Sequence, residues 1–298
     1  MAKIEINLTK RDACPYCGSG LRKVLFALER YSVCRCKSCK GVFSDPYLSE
    51  KGAEKIFSEP DSVGVINTEV ESYYDREFVL ANSRHTFKVF DWLLDFLEKN
   101  VSGRKLLDVG FGMGLFLEKS RRRGWECRGI DFSDEYYKYA KETMGLDVMK
   151  KKISEFTGYD EEFDVIILWD VIEHLDDPGE TLARLRGMLK PGGVLAIATP
   201  NEKSLLAFLA KFIYVIGFGL IKGPLSSVYV LEHPLFFDKK SLRKLLERNG
   251  FDIVLSKQDE TDIERLNLGK LKKIIVKIIF FLSRSMRMSN RIIVIAEK

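Results

Sequence analysis

The side chains best able to do chemistry fall into three groups. Near the front, Cys14-Pro-Tyr-Cys17 and Cys36-Lys-Ser-Cys39 are separated by 18 residues. Each C-x-x-C places two thiols at the tip of a turn, and two facing tips complete a tetrahedral four-thiolate site for zinc. Cys14, Cys17, Cys36 and Cys39 are the expected ligands, with Cys34 as a rival for one position. Four protein ligands leave no open coordination position, so such a zinc would be structural. The second group is Asp108-Val109-Gly110-Phe111-Gly112-Met113-Gly114, joined 23 positions after Asp108 by Asp131. Glycines at alternate positions keep side chains away and let the backbone approach a ligand. The spacing is G-x-G-x-G rather than G-x-G-x-x-G, and an acid precedes it. Asp108 would repel a pyrophosphate but suits an ammonium or sulfonium cation, and Asp131 can accept hydrogen bonds from both hydroxyls of a ribose.

The third group is Asp170-x-x-Glu173-His174 together with Glu232-His233-Pro234, which holds two of the chain's three histidines. A carboxylate beside an imidazole can act as a base, or hold a metal, that makes a hydroxyl oxygen nucleophilic. Glu173, His174 and His233 are the expected catalytic side chains. The D-x-x-E-H spacing could also present Asp170, Glu173 and His174 to a divalent ion. The alternative is that Glu173 and His174 merely brace the helix that follows.

Positioning these groups takes alternating strands and helices. From residue 104, short apolar runs alternate with amphipathic ones. Strands are expected at Lys105–Val109, Trp125–Ile130, Val148–Lys151, Asp164–Trp169, Val194–Thr199, Phe251–Lys257 and Arg291–Glu297. Helices are expected at Leu115–Arg123, Asp134–Met144, from Asp177-Pro178 to Leu189, and at Lys239–Asn249 capped by Asp238. This alternation predicts a doubly wound, Rossmann-like α/β sheet covered on both faces. The expected division is a zinc-ribbon module at 1–46, a linker with N-terminal helices at 47–103, and a core at 104–298. Apolar residues at three- and four-residue steps mark a helix over 86–97. Tyr73 and Tyr74, in a helical approach to the core, either pack or cover a cofactor.

These motifs carry a resemblance. Residues 105–297 are similar to the class I S-adenosylmethionine-dependent methyltransferases through Leu106–Gly114, Gly129–Phe132, Phe163-Asp164-Val165-Ile166, Asp170–Leu175, Leu189-Lys190-Pro191-Gly192-Gly193 and Thr199-Pro200-Asn201. The subgroup most resembled includes the ubiquinone-biosynthesis O-methyltransferases and zinc-bearing methyltransferases of sugar and polysaccharide pathways. The resemblance implies a seven-stranded sheet. It also implies that Gly110, Gly112 and Gly114 pass under the methionine part of S-adenosylmethionine. Asp131 would hold the ribose and Phe132 would flank the adenine. Asp108, Ile153 and Asp170 complete the expected cofactor set. An acid after the third strand is common in the family, whereas Lys150-Lys151-Lys152-Ile153 stands here, so adenine would be met by backbone groups near Ile153. In the quinone O-methyltransferases a similar E-x-x-E-H segment is thought to bind a divalent ion, a pattern from which Asp170 departs. The implied acceptor is small or lipid-linked and offers a hydroxyl, as in a quinone precursor or a sugar intermediate.

Other readings are weaker. An N-P-P-Y-like stretch, usual for methylation of base amino groups, is replaced by Trp169-Asp170-Val171-Ile172. A nucleic-acid (RNA) methyltransferase is kept alive only by the zinc ribbon and Arg121-Arg122-Arg123. A non-catalytic zinc-ribbon module that merely binds S-adenosylmethionine is the other alternative.

Charge and hydropathy are uneven. The chain of 298 residues carries a net charge of +5, yet from Arg265 to Ala296 there are eight basic residues and no acidic one. Without them 40 Lys+Arg face 43 Asp+Glu. Insertions are expected at 204–230, rich in Leu, Phe and Ile, and at 264–289, an amphipathic helix with a basic stripe. They read either as a lid over the site or as a peripheral contact with an anionic membrane. The first residues form no apolar leader and no uncharged run is long enough to span a bilayer, so the protein is expected in the cytoplasm, at most peripheral at the inner face of the membrane.

Overall fold

The computed structural model describes residues 7–58, 76–265 and 269–298. Tyr73 and Tyr74 lie outside these residues. The chain opens with an antiparallel meander of β1 (Arg22–Ala27), β2 (Ser32–Cys36) and β3 (Val42–Asp45). Among the described residues three helices follow: α1 (Glu50–Ser58), α2 (Arg76–Asn82) and α3 (Arg84–Asn100). The expected helix over 86–97 is α3, and Val89, Phe90, Leu93, Leu94 and Leu97 form its buried face. Most of that face packs in one core cluster with Leu106, Val165 and Ile167 of the central sheet.

The core then runs β4 (Lys105–Val109), α4 (Leu115–Arg122), β5 (Glu126–Asp131), α5 (Asp134–Lys138), β6 (Val148–Lys150), β7 (Phe163–Trp169), α6 (Pro178–Met188) and β8 (Leu189–Pro200). It continues with α7 (Leu205–Ile216), α8 (Gly223–Ser226), β9 (Leu235–Phe236), α9 (Lys239–Arg248), β10 (Asp252–Asp259), α10 (Lys270–Ser285) and β11 (Arg291–Glu297). Seven strands make one sheet in the order β10-β11-β8-β7-β4-β5-β6, with β11 antiparallel to both neighbours. The central strands β4 and β7 are buried along nearly their whole length because helices cover both faces. All residues of β7 from Phe163 to Leu168 are buried.

The topology fixes where a ligand can bind. The chain builds outward from β4 through β5 to β6, then returns to place β7 on the other side of β4. The crevice beyond the carboxyl ends of β4 and β7 is the switch point of such a sheet. The loops that leave those ends carry Gly110–Gly114 and Asp170–His174.

One local expectation is altered, and two further features depart from a plain alternation of strands and helices. The helix expected over Asp134–Met144 is α-helical only to Lys138 and widens into a π turn over Tyr139–Thr143. Pro191-Gly192-Gly193 forms a bulge within β8. The β7 register steps from Phe163 opposite Leu189 to Val165 opposite Val194, and Gly192 takes a φ of 73°. The front module is joined to the later chain, because β3 pairs with β9, Val42 opposite Phe236 and Phe43 opposite Leu235.

Candidate functional site

At the end of β4 the glycine loop is shaped by backbone geometry. Gly110 and Gly112 have φ of 73° and 53°, a region side chains disfavour. A Cβ on Gly110 would also stand 2.5 Å from Val171 Cγ2, which packs the loop against the segment leaving β7. Nothing lies within 4 Å of a Cβ built on Gly112, so its backbone faces open space. That loop is tied to the next strand. The Gly112 N–H donates to Asp131 Oδ2 and the Ser133 N–H to Asp131 Oδ1, both at 2.9 Å. Burial raises the Asp131 carboxyl, and the Ser133, Gly112 and Phe132 N–H groups oppose that rise. Asp108 is 2% exposed, and burial with the neighbouring Asp131 charge pushes it up to about 8. Gly114 leads into α4, Phe132 is half-buried, and Ile153 is buried at the start of a 3-10 turn.

Around the β7 loop the structure gathers the three side chains expected for catalysis, not the three offered to a divalent ion. Asp170 takes a φ of 56° and accepts from Arg291 of β11 at 2.6 Å. This ion pair removes Asp170 from the expected group of Asp170, Glu173 and His174. His233 takes its place: the ligating atoms of Glu173, His174 and His233 all lie within 4.8 Å of one another. The two imidazoles meet edge to face with centroids 4.7 Å apart. His174 Nδ1 is 2.7 Å from the Glu232 carbonyl oxygen, which can only accept, so Nδ1 carries the proton and the neutral ring presents a lone pair on Nε2. Burial lowers the pKa of both histidines, and the charge of His174 depresses His233 further. The pair therefore stays neutral in the free protein near pH 7. Glu173 accepts from Thr199 Oγ1 at 2.9 Å, and its Oε1 has no hydrogen-bond partner. Burial, then the Asp170 charge, pushes it up to about 8. One neutral-leaning carboxyl and two imidazoles are not the oxygen-rich set that magnesium or calcium demands, so no step is assigned to such an ion.

Among the cysteines, four sulfurs converge. Cys14, Cys17, Cys36 and Cys39 each place Sγ within 4.8 Å of the others, and Cys34 is not among them. Cys14 and Cys39 are 3.6 Å apart and Cys17 and Cys36 3.7 Å. Zinc–sulfur bonds of about 2.3 Å in a tetrahedron require sulfurs about 3.8 Å apart, so the spacing suits zinc. Tyr16, inside the first knuckle, ties this centre to the later chain. Its hydroxyl donates to the Val42 carbonyl at 2.9 Å and accepts the Phe236 N–H at 3.1 Å.

The basic run at the end of α4 is spent internally. Arg121 and Arg122 pair with Glu118, and Arg123 with Asp95 and Glu98. Cys127, half-buried in β5, is pushed up to about 12 by burial, which leaves it a poor nucleophile.

A family profile described as a methyltransferase domain matches residues 81–256, more than half of the chain. The chain belongs to this methyltransferase family. The methyltransferase domain is similar to the ubiquinone biosynthesis O-methyltransferase of Caulobacter vibrioides, 37% identical over 118 residues, which is 37% of this chain and 46% of that protein. The protein of the same description from Methylococcus capsulatus is 34% identical over 120 residues, 38% of this chain and 50% of its own. The chain thus spans about half the length of the curated relatives it matches. Among solved structures, the magnesium protoporphyrin IX methyltransferase of Synechocystis aligns with a TM-score of 0.55 at 17% identity, over 84% of this chain and 100% of that one. The 1,6-didemethyltoxoflavin-N1-methyltransferase of Burkholderia thailandensis aligns with a TM-score of 0.52 at 16% identity, over 93% and 99%. These two support the fold of the methyltransferase domain.

Proposed function

We propose that the protein transfers a methyl group from S-adenosylmethionine to a hydroxyl on a small or lipid-linked acceptor, such as a quinone precursor or a sugar intermediate. The observation that carries this reading is the open glycine backbone flanked by two buried acids at the switch point of a methyltransferase sheet. S-adenosylmethionine supplies an electrophilic methyl on a sulfonium. Gly110, Gly112 and Gly114 would line the methionine part, Asp131 would accept from the ribose hydroxyls, and Phe132 and Ile153 would border the adenine. Asp170, held by Arg291, would close the methionine end through that ion pair rather than as a metal ligand.

On the acceptor side, His174 Nε2 and His233 would take the proton as the hydroxyl oxygen attacks. Glu173, fixed by Thr199, would border the two rings and help orient the acceptor hydroxyl. The Arg121–Arg123 run, neutralised within the protein, gives no reason to prefer a nucleic acid. The test is turnover. Methyl-labelled S-adenosylmethionine should give labelled, solvent-extractable product with hydroxylated polyprenyl quinone precursors or lipid-linked sugars. Binding without any labelled product would instead make this a non-catalytic module. A lipid-linked acceptor would bring this protein to the inner face of a membrane from the cytoplasmic side, as a peripheral partner. Among the described residues no helix is long and apolar enough to cross one.

Asp108 makes the cofactor reading testable by pH. With its carboxyl at about 8, it is largely protonated at pH 7 in the free protein. A bound cation favours the carboxylate and lowers that pKa, so binding should release protons, and affinity should rise with pH until about 8 and then level. Calorimetry in buffers of different ionisation enthalpy measures this. Binding with no proton release at pH 7 would remove Asp108 from the cation's surroundings.

The zinc reading follows the sulfur geometry. Cys14, Cys17, Cys36 and Cys39 would hold one structural zinc in a ribbon over residues 1–46, ahead of a linking helical stretch at 47–103 and the catalytic unit at 104–298. Because β3 pairs with β9, two residues after His233, the metal would brace the acceptor side. Protein prepared without chelator should contain one equivalent of zinc, and Cys36→Ser should lose it. That variant is expected to lose roughly tenfold in turnover, typical of outer-shell support, with little change in cofactor affinity. Full turnover in a zinc-free Cys36→Ser protein would detach the ribbon from the site.

A further inference from the structure

We propose that α7 and α10 form a single docking surface for an anionic phospholipid bilayer, placed beside the mouth of the crevice. On α10, successive residues turn by about 100°, so Leu271, Ile274, Ile275, Ile278, Phe281 and Leu282 share an arc of about 120°. All six are exposed, Leu271 to 73% and Phe281 to 69%. The face that packs on the protein lies opposite, at Phe280 and Ser283. The amphipathic helix is therefore oriented the reverse of a core-facing one: its broadest apolar stripe points to solvent.

The second insertion continues the same surface. α7 lies against α10, and its Ala207 and Ala210 are buried while Phe208, Phe212 and Val215 are exposed at helical spacing. Just beyond α7, Phe218 is 93% exposed and Leu220 85%. Both insertions are rooted at one end of the sheet. The Leu205 N–H donates to the Met288 carbonyl, and the Asn201 N–H to the Asn290 carbonyl, each at 2.8 Å. Asp170 and Arg291 meet at this end, so the apolar surface borders the crevice that holds the proposed site.

Charge identifies the occupant. No acidic residue occurs in 203–231 or 266–296. Lys270, Lys277 and Arg284 border one side of the exposed stripe and Lys272 the other. Lys273, turned toward the protein, pairs with Glu264 at 3.0 Å, and Lys277 approaches the same acid at 3.4 Å. Apolar side chains rimmed by cations match the interior and headgroups of an anionic bilayer. A second copy of this chain docked on the same face would bring lysines against lysines. The surface deepens the reading of a lipid-linked acceptor and rests on it only for its purpose, since it would let such an acceptor pass from the bilayer into the crevice.

The test uses the full chain without cofactor or acceptor. It should sediment with vesicles of phosphatidylglycerol and phosphatidylcholine at low salt, and not with phosphatidylcholine alone. Sodium chloride at about 0.5 M should weaken the association. Phe218→Asp with Phe281→Asp should lower partitioning at least about tenfold, and Lys270→Glu with Lys272→Glu about as much. These side chains are exposed, so S-adenosylmethionine affinity should stay unchanged as the check on folding. No sedimentation with the anionic vesicles would overturn the proposal. A dimer in ultracentrifugation that Phe281→Asp dissolves would overturn it too, by showing a second copy on this face. Because vesicle binding is read without methyl transfer, its failure leaves the proposed reaction to be judged by turnover alone.

Discussion

Asp131→Ala is expected to weaken S-adenosylmethionine binding at least about 100-fold. The carboxylate sits at the end of β5, is 8% exposed, and receives the Gly112 and Ser133 N–H groups. On the proposed reading, its removal would delete two charge-assisted acceptors for ribose hydroxyls, each worth about 1.5–3 kcal/mol. About 3 kcal/mol corresponds to a loss of roughly 100-fold in affinity. It also frees the loop that Gly112 anchors, which adds to the effect. Asp131→Asn keeps the shape and one acceptor oxygen, so it should fall between the wild type and the alanine variant. Calorimetry on both variants, with thermal unfolding as the check on folding, measures this. Wild-type affinity in Asp131→Ala would place the ribose elsewhere.

The second large effect is expected on the acceptor side. His174→Ala and His233→Ala should each lower turnover on a hydroxyl acceptor by about 10²–10⁴-fold, the range for loss of a positioned base. Cofactor affinity should be nearly unchanged, because the glycine loop and Asp131 do not depend on either ring. The double variant should cost little more than the worse single one, since the rings touch and act as a unit. The sign of the pH dependence follows from burial. Both histidines are held below the usual value of 6.5, so the basic form persists as pH falls through 6.5. Turnover should stay level from neutrality to below 6.5 and drop only at more acid pH. Full turnover in both alanine variants would assign the proton to another group.

How much of this is legible in the sequence depends on the range of the interaction. The two C-x-x-C pairs are local devices, and the structure brings their sulfurs together while leaving Cys34 aside. The glycine loop and Asp131 are legible for the same reason: strand, tight turn and helix are encoded within about 30 residues. Spacing offers Asp170 as a metal ligand but says nothing of its partner, Arg291, which lies 121 positions away. By sequence His233 is a lone base, whereas the pairing of β9 with the ribbon belongs to the tertiary fold that sets it beside His174.

The insertions show a different limit. Helical periodicity identifies 264–289 as amphipathic, yet α10 is apolar on more than one side. Periodicity alone does not tell which side packs inward. Packing decides it through Phe280 and Ser283, and the larger apolar stripe is left outside. The π turn at Tyr139–Thr143 is also invisible in the pattern, because it ends a short helix and too few residues follow to reveal the change of phase.

The most direct measurement of the central claim is calorimetric titration of the purified protein with S-adenosylhomocysteine, the product form of the cofactor. One molecule should bind per chain, with a dissociation constant on the order of micromolar. Asp131→Ala should abolish that signal at the same concentrations. Absence of binding to the folded wild-type protein at millimolar ligand would contradict the account.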